Sequence, residues 1–117
     1  MEADIFCQIV AGEIPSQKVY ETENVLAFLD INPKAPKHIL IIPKKHIENL
    51  NDATEEDKEL LGEILLVAEK VAQIEGLTDK GYRLIANTGR DGGQLVPHLH
   101  FHLLGGKALG PKLTTLE

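Results

Sequence analysis

Val96-Pro97-His98-Leu99-His100-Phe101-His102-Leu103-Leu104 is the stretch on which the reading of this chain turns. Successive side chains of an extended strand point to opposite faces, so residues two apart share a side. His98, His100 and His102 therefore point one way, and Leu99, Phe101 and Leu103 the other. The apolar face belongs beneath a helix. Three neighbouring imidazoles are poor core material, because buried polar groups without partners are costly. The histidine face is expected to line a cleft, on a final strand running from about Pro97 to Leu104.

Working back from this strand, Asn87 to Gln94 contains Gly89, Gly92 and Gly93 and reads as a polar loop, preceded by a strand from Tyr82 to Ala86. Thr54-Glu55-Glu56-Asp57 has the form of a capping box with acid in the first turn. It opens a helix expected to run to about Glu75, before Gly76, with Leu60, Leu61, Ile64, Leu65, Ala68, Val71 and Ala72 as its apolar stripe. His38 to Ile42 is a β-branched run stopped by Pro43 and reads as a central strand covered on both faces. Lys18 to Glu21 and Val25 to Leu29 form a hairpin around Thr22-Glu23-Asn24, with Asn supplying the turn and Asp30 at the end of the second strand. Asp4 caps a short helix whose apolar positions are Ile5, Phe6, Ile9 and Val10, and Gly12 ends it. Strands joined by short turns with only two helices favour an α+β fold. It would hold about five strands in a mainly antiparallel sheet, with a short N-terminal helix and one long central helix packed on it.

The 117 residues fit a single domain, 1–117. At 43% hydrophobic and 26% charged, the chain can bury enough apolar surface to fold. Twelve Lys plus Arg against eighteen Asp plus Glu give a net charge of −6, which argues against binding to nucleic acid through phosphate attraction. No apolar run approaches the roughly 20 residues that span a bilayer, and the opening MEADIF lacks the pattern of a secretory signal. Cys7 is the only cysteine, so no intrachain disulfide and no cysteine-based zinc site is expected; a reducing cytoplasm fits best.

The histidine face admits three chemistries. The histidines can be hydrogen-bonded surface groups without function, or share a metal, since neutral imidazoles are good zinc ligands. The third is nucleophilic catalysis, in which a neutral ring nitrogen attacks phosphorus while its neighbours orient it and hold phosphate oxygens. Asp30, acceptor-only at a strand end, suits a pair of ribose hydroxyls, or caps a turn. Gly92-Gly93-Gln94 allows backbone N–H groups to approach a phosphate.

The run His98-Leu99-His100-Phe101-His102-Leu103-Leu104 resembles the signature of the histidine triad (HIT) superfamily. Asp4-Ile5-Phe6, Gly12-Glu13-Ile14-Pro15, Ala27 to Ile31, Ala35-Pro36, Ile42 to His46, Gly81-Tyr82-Arg83, Asp91 to Gln94 and Leu104-Gly105-Gly106 are similar to its nucleotide-binding Hint branch, of bacterial type. The resemblance implies a HIT-like fold and hydrolysis of purine nucleoside phosphoramidates and aminoacyl adenylates through a covalent nucleotidyl-histidine, without metal or organic cofactor. It implies His100 as nucleophile, His102 as a phosphate ligand, and His98 with His38 as the supporting network. Asn87 falls on a position that contacts phosphate, and Gly93, Gln94 and Leu95 are expected beside the bound nucleotide. Ile5, Phe6, Ile9, Phe28 and Ile31 fall on its apolar base pocket, where ordinary core packing is an equal alternative. His46 is expected to be structural. The resemblance further implies a homodimer taking purine nucleotides such as AMP or GMP. Related alternatives are a dinucleoside polyphosphate hydrolase of the Fhit branch and a nucleotide-binding or interaction module with incidental turnover. Leu95 departs from the pattern: many Hint proteins carry a serine there, near the leaving group, and leucine can neither donate nor accept that bond. The tail from Gly105 to Lys112 lacks the tryptophan-containing ending of many relatives.

Overall fold

Asp4 starts the first helix as its side chain promises: Oδ1 accepts the Cys7 N–H at 2.7 Å, satisfying one of the donors that a helix N-terminus leaves open. The computed structural model describes residues 4–111, and in it this helix, α1, spans Ile5–Val10. Gly12 follows at φ 80, a left-handed conformation that favours glycine and stops the turn. Expectations about Lys112 lie outside the described residues.

Five strands, β1 (Lys18–Glu21), β2 (Val25–Leu29), β3 (Lys37–Pro43), β4 (Arg83–Ala86) and β5 (Phe101–Gly105), form one sheet in the order β1-β2-β3-β5-β4. Every pairing is antiparallel. β3 lies at the centre, as its continuous apolar run requires. The β1–β2 turn is made by Thr22 rather than Asn24: the Thr22 hydroxyl accepts the N–H groups of Asn24 and Val25, and among the described residues none other than glycine has positive φ. A β-hydroxyl that can cap the turn removes the need for a left-handed Asn.

The capping box is present, with the Thr54 N–H bonded to Asp57 Oδ2 at 3.0 Å, but it opens a 3-10 turn, Glu55–Asp57. The α-helix proper, α2, runs Lys58–Ile74, with Glu75 as its C-cap and Gly76 at φ 74. Its buried side is Ile64, Val67, Ala68, Val71 and Ala72. Val67 thus joins the stripe, whereas Leu65, expected inside, is 52% exposed. Leu65 follows Ile64 and so sits a full 100° round the helix from that face.

The two-residue alternation of β2 and β3 supplies two cores. Val25, Ala27, Ile39 and Ile41 pack with α2, while Leu26, Phe28, Leu40 and Ile42 pack with Phe6 and Ile9 of α1. Each helix therefore covers one face of the sheet. Burying such β-branched and leucine side chains contributes about 1.5–3 kcal/mol each.

The last strand is shorter than expected, beginning at Phe101 rather than Pro97. Pro97 has no N–H to give a ladder. The His98 N–H turns back to the Val96 carbonyl at 2.8 Å, and the Leu99 N–H goes to the Ile47 carbonyl at 2.6 Å. The division of faces survives this departure. Leu99 and Leu103 are buried in the α2 core with Phe101 against it, and His98 and His100 lie edge-on to Phe6 of α1.

Candidate active site

Strand register gathers the chemistry. His102 stands opposite Leu40 in the β3–β5 ladder and His38 opposite Leu104, so His38 and His102 are diagonal neighbours on the α1 face. Their rings meet, Nε2 of His38 lying 2.9 Å from Nδ1 of His102. Asp30 leaves β2 beside them, its N–H bonded to the His38 carbonyl and its Oδ2 3.3 Å from His38 Nε2. Its other oxygen accepts the Asn32 N–H at 2.8 Å.

Hydrogen-bond partners fix where the ring protons sit. A carbonyl only accepts, so the 2.8 Å contact of His100 Nδ1 with the His98 carbonyl puts a hydrogen on Nδ1 and leaves the lone pair of the neutral ring on Nε2. The Lys34 N–H donates to His38 Nδ1 at 3.0 Å, so neutral His38 carries its hydrogen on Nε2 and donates it towards His102 Nδ1. His102, accepting there, keeps its own hydrogen on Nε2. Two adjacent rings, with centroids 5.0 Å apart, thus have complementary free nitrogens: a lone pair on His100 and an N–H on His102.

All of these rings are held neutral. Burial pushes the His100 pKa down, with the His98 side chain adding to the effect and the His98 carbonyl only partly opposing it. Burial also lowers His38. For His102, burial together with the facing His100 and His38 lowers the pKa to about 4.

A cavity of about 1100 Å³ opens over these groups, at the upper end of the range that holds small ligands. Asp30, Ile31, His38, Asn87, Gly93, Leu95, His100 and His102 line it, and Ile5, Phe6, Ile9 and Phe28 form an apolar end. Two expected site residues stand outside. His98 is 0% exposed, lying under α1 with Nε2 donating to the Pro43 carbonyl at 2.9 Å. The histidine side is therefore not wholly a cleft, and hydrogen bonding is what permits a buried imidazole there. Gln94 is spent on the loop: its amide nitrogen bonds the carbonyls of Glu48 and Val96, and its oxygen accepts the Gly89 N–H. Asn87 Nδ2 ties the same loop through the Gly92 carbonyl at 2.7 Å.

A second cluster, not anticipated from the sequence, lies behind His98. Asp4 Oδ2 is 3.0 Å from His46 Nδ1 and 3.3 Å from His98 Nδ1, and the Cys7 thiol contacts both rings. Burial alone would raise the Asp4 carboxyl, but the Cys7 N–H and the facing His98 and His46 outweigh it, leaving the pKa lowered. Burial raises the Cys7 thiol, and Asp4 adds to this through its charge. The four donor atoms lie within 4.8 Å of one another, as do those of Asp30, His38 and His102. A mixed imidazole, thiolate and carboxylate set is chemically able to gather a borderline-soft cation. The cluster holds one cysteine; its other donors are Asp4, which caps the same helix, and the distant His46 and His98. The spacing of a lone Cys and a single His46 carried no signal of it.

Comparisons with known proteins identify relatives of the same fold. The chain is 53% identical over 112 residues to the purine nucleoside phosphoramidase of Escherichia coli (strain K12), covering 96% of this chain and 94% of that protein. A HIT family hydrolase from Clostridium thermocellum superposes with a TM-score of 0.93 at 50% identity, covering 97% of this chain and 98% of that one. Another, from Legionella pneumophila Philadelphia 1, gives 0.90 at 54% identity over 92% and 96%. The HIT domain profile matches residues 11–109. With its histidines ordered as they are and its sheet closed by two helices, the chain belongs to the HIT domain family.

Proposed function

We propose that this protein is a purine nucleoside phosphoramidase, hydrolysing AMP–amine conjugates and aminoacyl adenylates through a covalent nucleotidyl-histidine. The observation that carries this reading is the 2.8 Å bond from His100 Nδ1–H to the His98 carbonyl, which leaves the Nε2 lone pair free beside the His102 N–H. In the first displacement Nε2 of His100 forms a bond to phosphorus as the P–N bond to the amine breaks, and the amine takes its proton from solvent at the cavity mouth. The new positive charge on the His100 ring is stabilised through Nδ1–H by the His98 carbonyl. His102 Nε2–H bonds a phosphate oxygen throughout. In the second displacement water attacks phosphorus, its proton passes to solvent, and the electron pair returns to Nε2, releasing AMP. Holding nucleophile and donor in place beforehand is the main source of acceleration in such a site.

Asp30 suits the ribose hydroxyls, with Asn87 and Gly93 beside the phosphate and Ile5, Phe6, Ile9, Phe28 and Ile31 around a purine such as that of AMP or GMP. A homodimer accords with Leu65 and Leu66 of α2, which are 52% and 70% exposed. A single domain over 1–117 accords with one sheet carrying both cores. Cytoplasmic residence accords with a free Cys7; among the described residues no helix is long and apolar enough to cross a membrane.

The test is to incubate the protein with an AMP–amine conjugate in the presence of a chelator and follow AMP release and a trapped adduct. Release with an adduct on His100 is expected. Full activity in His100→Ala, or activity abolished by chelation, would overturn the scheme.

A further inference from the structure

The single hydrogen on His38 Nε2 faces two acceptors. Nδ1 of His102 lies 2.9 Å away and Oδ2 of Asp30 3.3 Å away. The ring cannot turn out of this competition, because its other nitrogen accepts the Lys34 N–H at 3.0 Å and its side chain is only 3% exposed. The imidazole is the nearer acceptor and the carboxylate, by its charge, the stronger one, so they share the hydrogen.

Sharing bears on His102. Its Nε2–H, which bonds the phosphate oxygen in the proposed scheme, exists in the neutral ring only while Nδ1 accepts. The opposite tautomer would carry its hydrogen on Nδ1 and turn a lone pair towards phosphate. That tautomer has an acceptor of its own in Asp30, since Asp30, His38 and His102 each bring one ligand atom to within 4.8 Å of the others. Oδ1 of Asp30 already accepts the Asn32 N–H, and among the described residues no donor besides His38 reaches Oδ2. The Asp30 side chain is 16% exposed and lines the cavity. A ligand hydroxyl donating to Oδ2 takes the carboxylate out of the competition. The His38 hydrogen then goes to His102 alone, and the wrong tautomer loses its acceptor.

We infer that Asp30 is a positioning residue as well as a ribose ligand: hydroxyls bound to its carboxylate fix the direction of the His38–His102 hydrogen bond, so that the sugar is read in kcat and not only in binding. This rests on the phosphoramidate reading, with the ribose at Asp30. Two conjugates of the same amine, one of AMP and one of an AMP analogue lacking both ribose hydroxyls, test it. In the wild type, loss of the hydroxyls is expected to raise KM and to lower kcat about tenfold, part of the loss that removing a charge-stabilising donor outright brings. His38→Ala has no hydrogen to direct, so there the two kcat values should reach parity while the difference in KM persists. Any effect of sugar shape acts in both proteins alike. Heteronuclear NMR of the imidazole nitrogens gives a readout without turnover: AMP should leave the His102 hydrogen on Nε2, and the analogue nucleotide should leave the two tautomers in exchange. A wild-type kcat indifferent to the hydroxyls, a kcat difference that survives in His38→Ala, or the same His102 tautomer with either nucleotide overturns the inference and leaves the phosphoramidase reading intact. Absence of nucleotide release from both conjugates overturns that reading, and the NMR comparison then decides by itself whether Asp30 sets the His102 tautomer.

Discussion

Nε2 of His38 lies 2.9 Å from Nδ1 of His102, on a diagonal between adjacent strands, and the Lys34 N–H behind it determines which of the two rings donates. In the proposed scheme His38 is a positioning residue, acting on substrate only through His102. Replacing it with alanine frees His102 to turn or to exchange tautomers. We expect kcat to fall about tenfold with AMP affinity nearly unchanged, whereas His102→Ala should lose about 10²–10³ in kcat, as removal of a charge-stabilising donor does. Single-turnover kinetics with AMP titration separates the two. Equal losses would show that His38 does more than orient its neighbour.

The pH dependence follows from the lowered histidine pKa values. In the proposed scheme His100 must be neutral to attack, and burial lowers its pKa below the ordinary 6.5, so activity should stay level as pH falls through that value and decline only at lower pH. An acid limb at or above 6.5 would contradict this. Stability should change over the same range. The unfolded chain takes up protons near 6.5, but folded His102 resists down to about 4, so acidification through this window favours unfolding. Urea titrations at the two ends of the window measure the loss.

Gly92 is required by space, since a methyl group would stand 2.3 Å and 2.9 Å from backbone atoms of Thr88. Gly92→Ala should push the loop aside, displacing Gly93 and the Asn87 side chain bonded to the Gly92 carbonyl. Overpacking of this kind costs about 1–3 kcal/mol. Calorimetry should find AMP bound about tenfold more weakly. Unaltered affinity would mean that the loop takes no part in holding phosphate.

Leu66 is 70% exposed on α2. If this helix face and the edge of β4 meet a second copy, Leu66→Arg should convert the dimer to a monomer in sedimentation experiments, because a buried unpaired charge is strongly unfavourable. A wild-type protein that sediments as a monomer would remove the assembly from the proposal altogether.

Most of the fold is legible from local chemistry. Asp4, Gly12 and Gly76 punctuate the helices where their residue types predict, the Thr54–Asp57 capping box forms one 3-10 turn ahead of α2, and the β-branched run of β3 does occupy the middle of the sheet. The alternation of the histidines also sorts the faces correctly, even though only His102 of the three lies in the ladder. What local patterns miss is pairing at long range. That the Leu99 N–H would bond to Ile47 rather than to a strand, or that His98 would be buried against Asp4, depends on residues far away in sequence. Gln94 shows the same limit. Its position beside two glycines resembles a phosphate contact, but its amide meets the Glu48 carbonyl, and no motif contains that partner.

The polarity of the histidine network is set by main-chain groups: the Lys34 N–H, the His98 carbonyl and the Pro43 carbonyl. Main-chain atoms are common to nearly every amino acid. The side chain at position 34 can therefore drift through evolution without reversing a single proton along the chain of rings. Proline is the exception, because it alone would arrive there without the hydrogen that orders the rest.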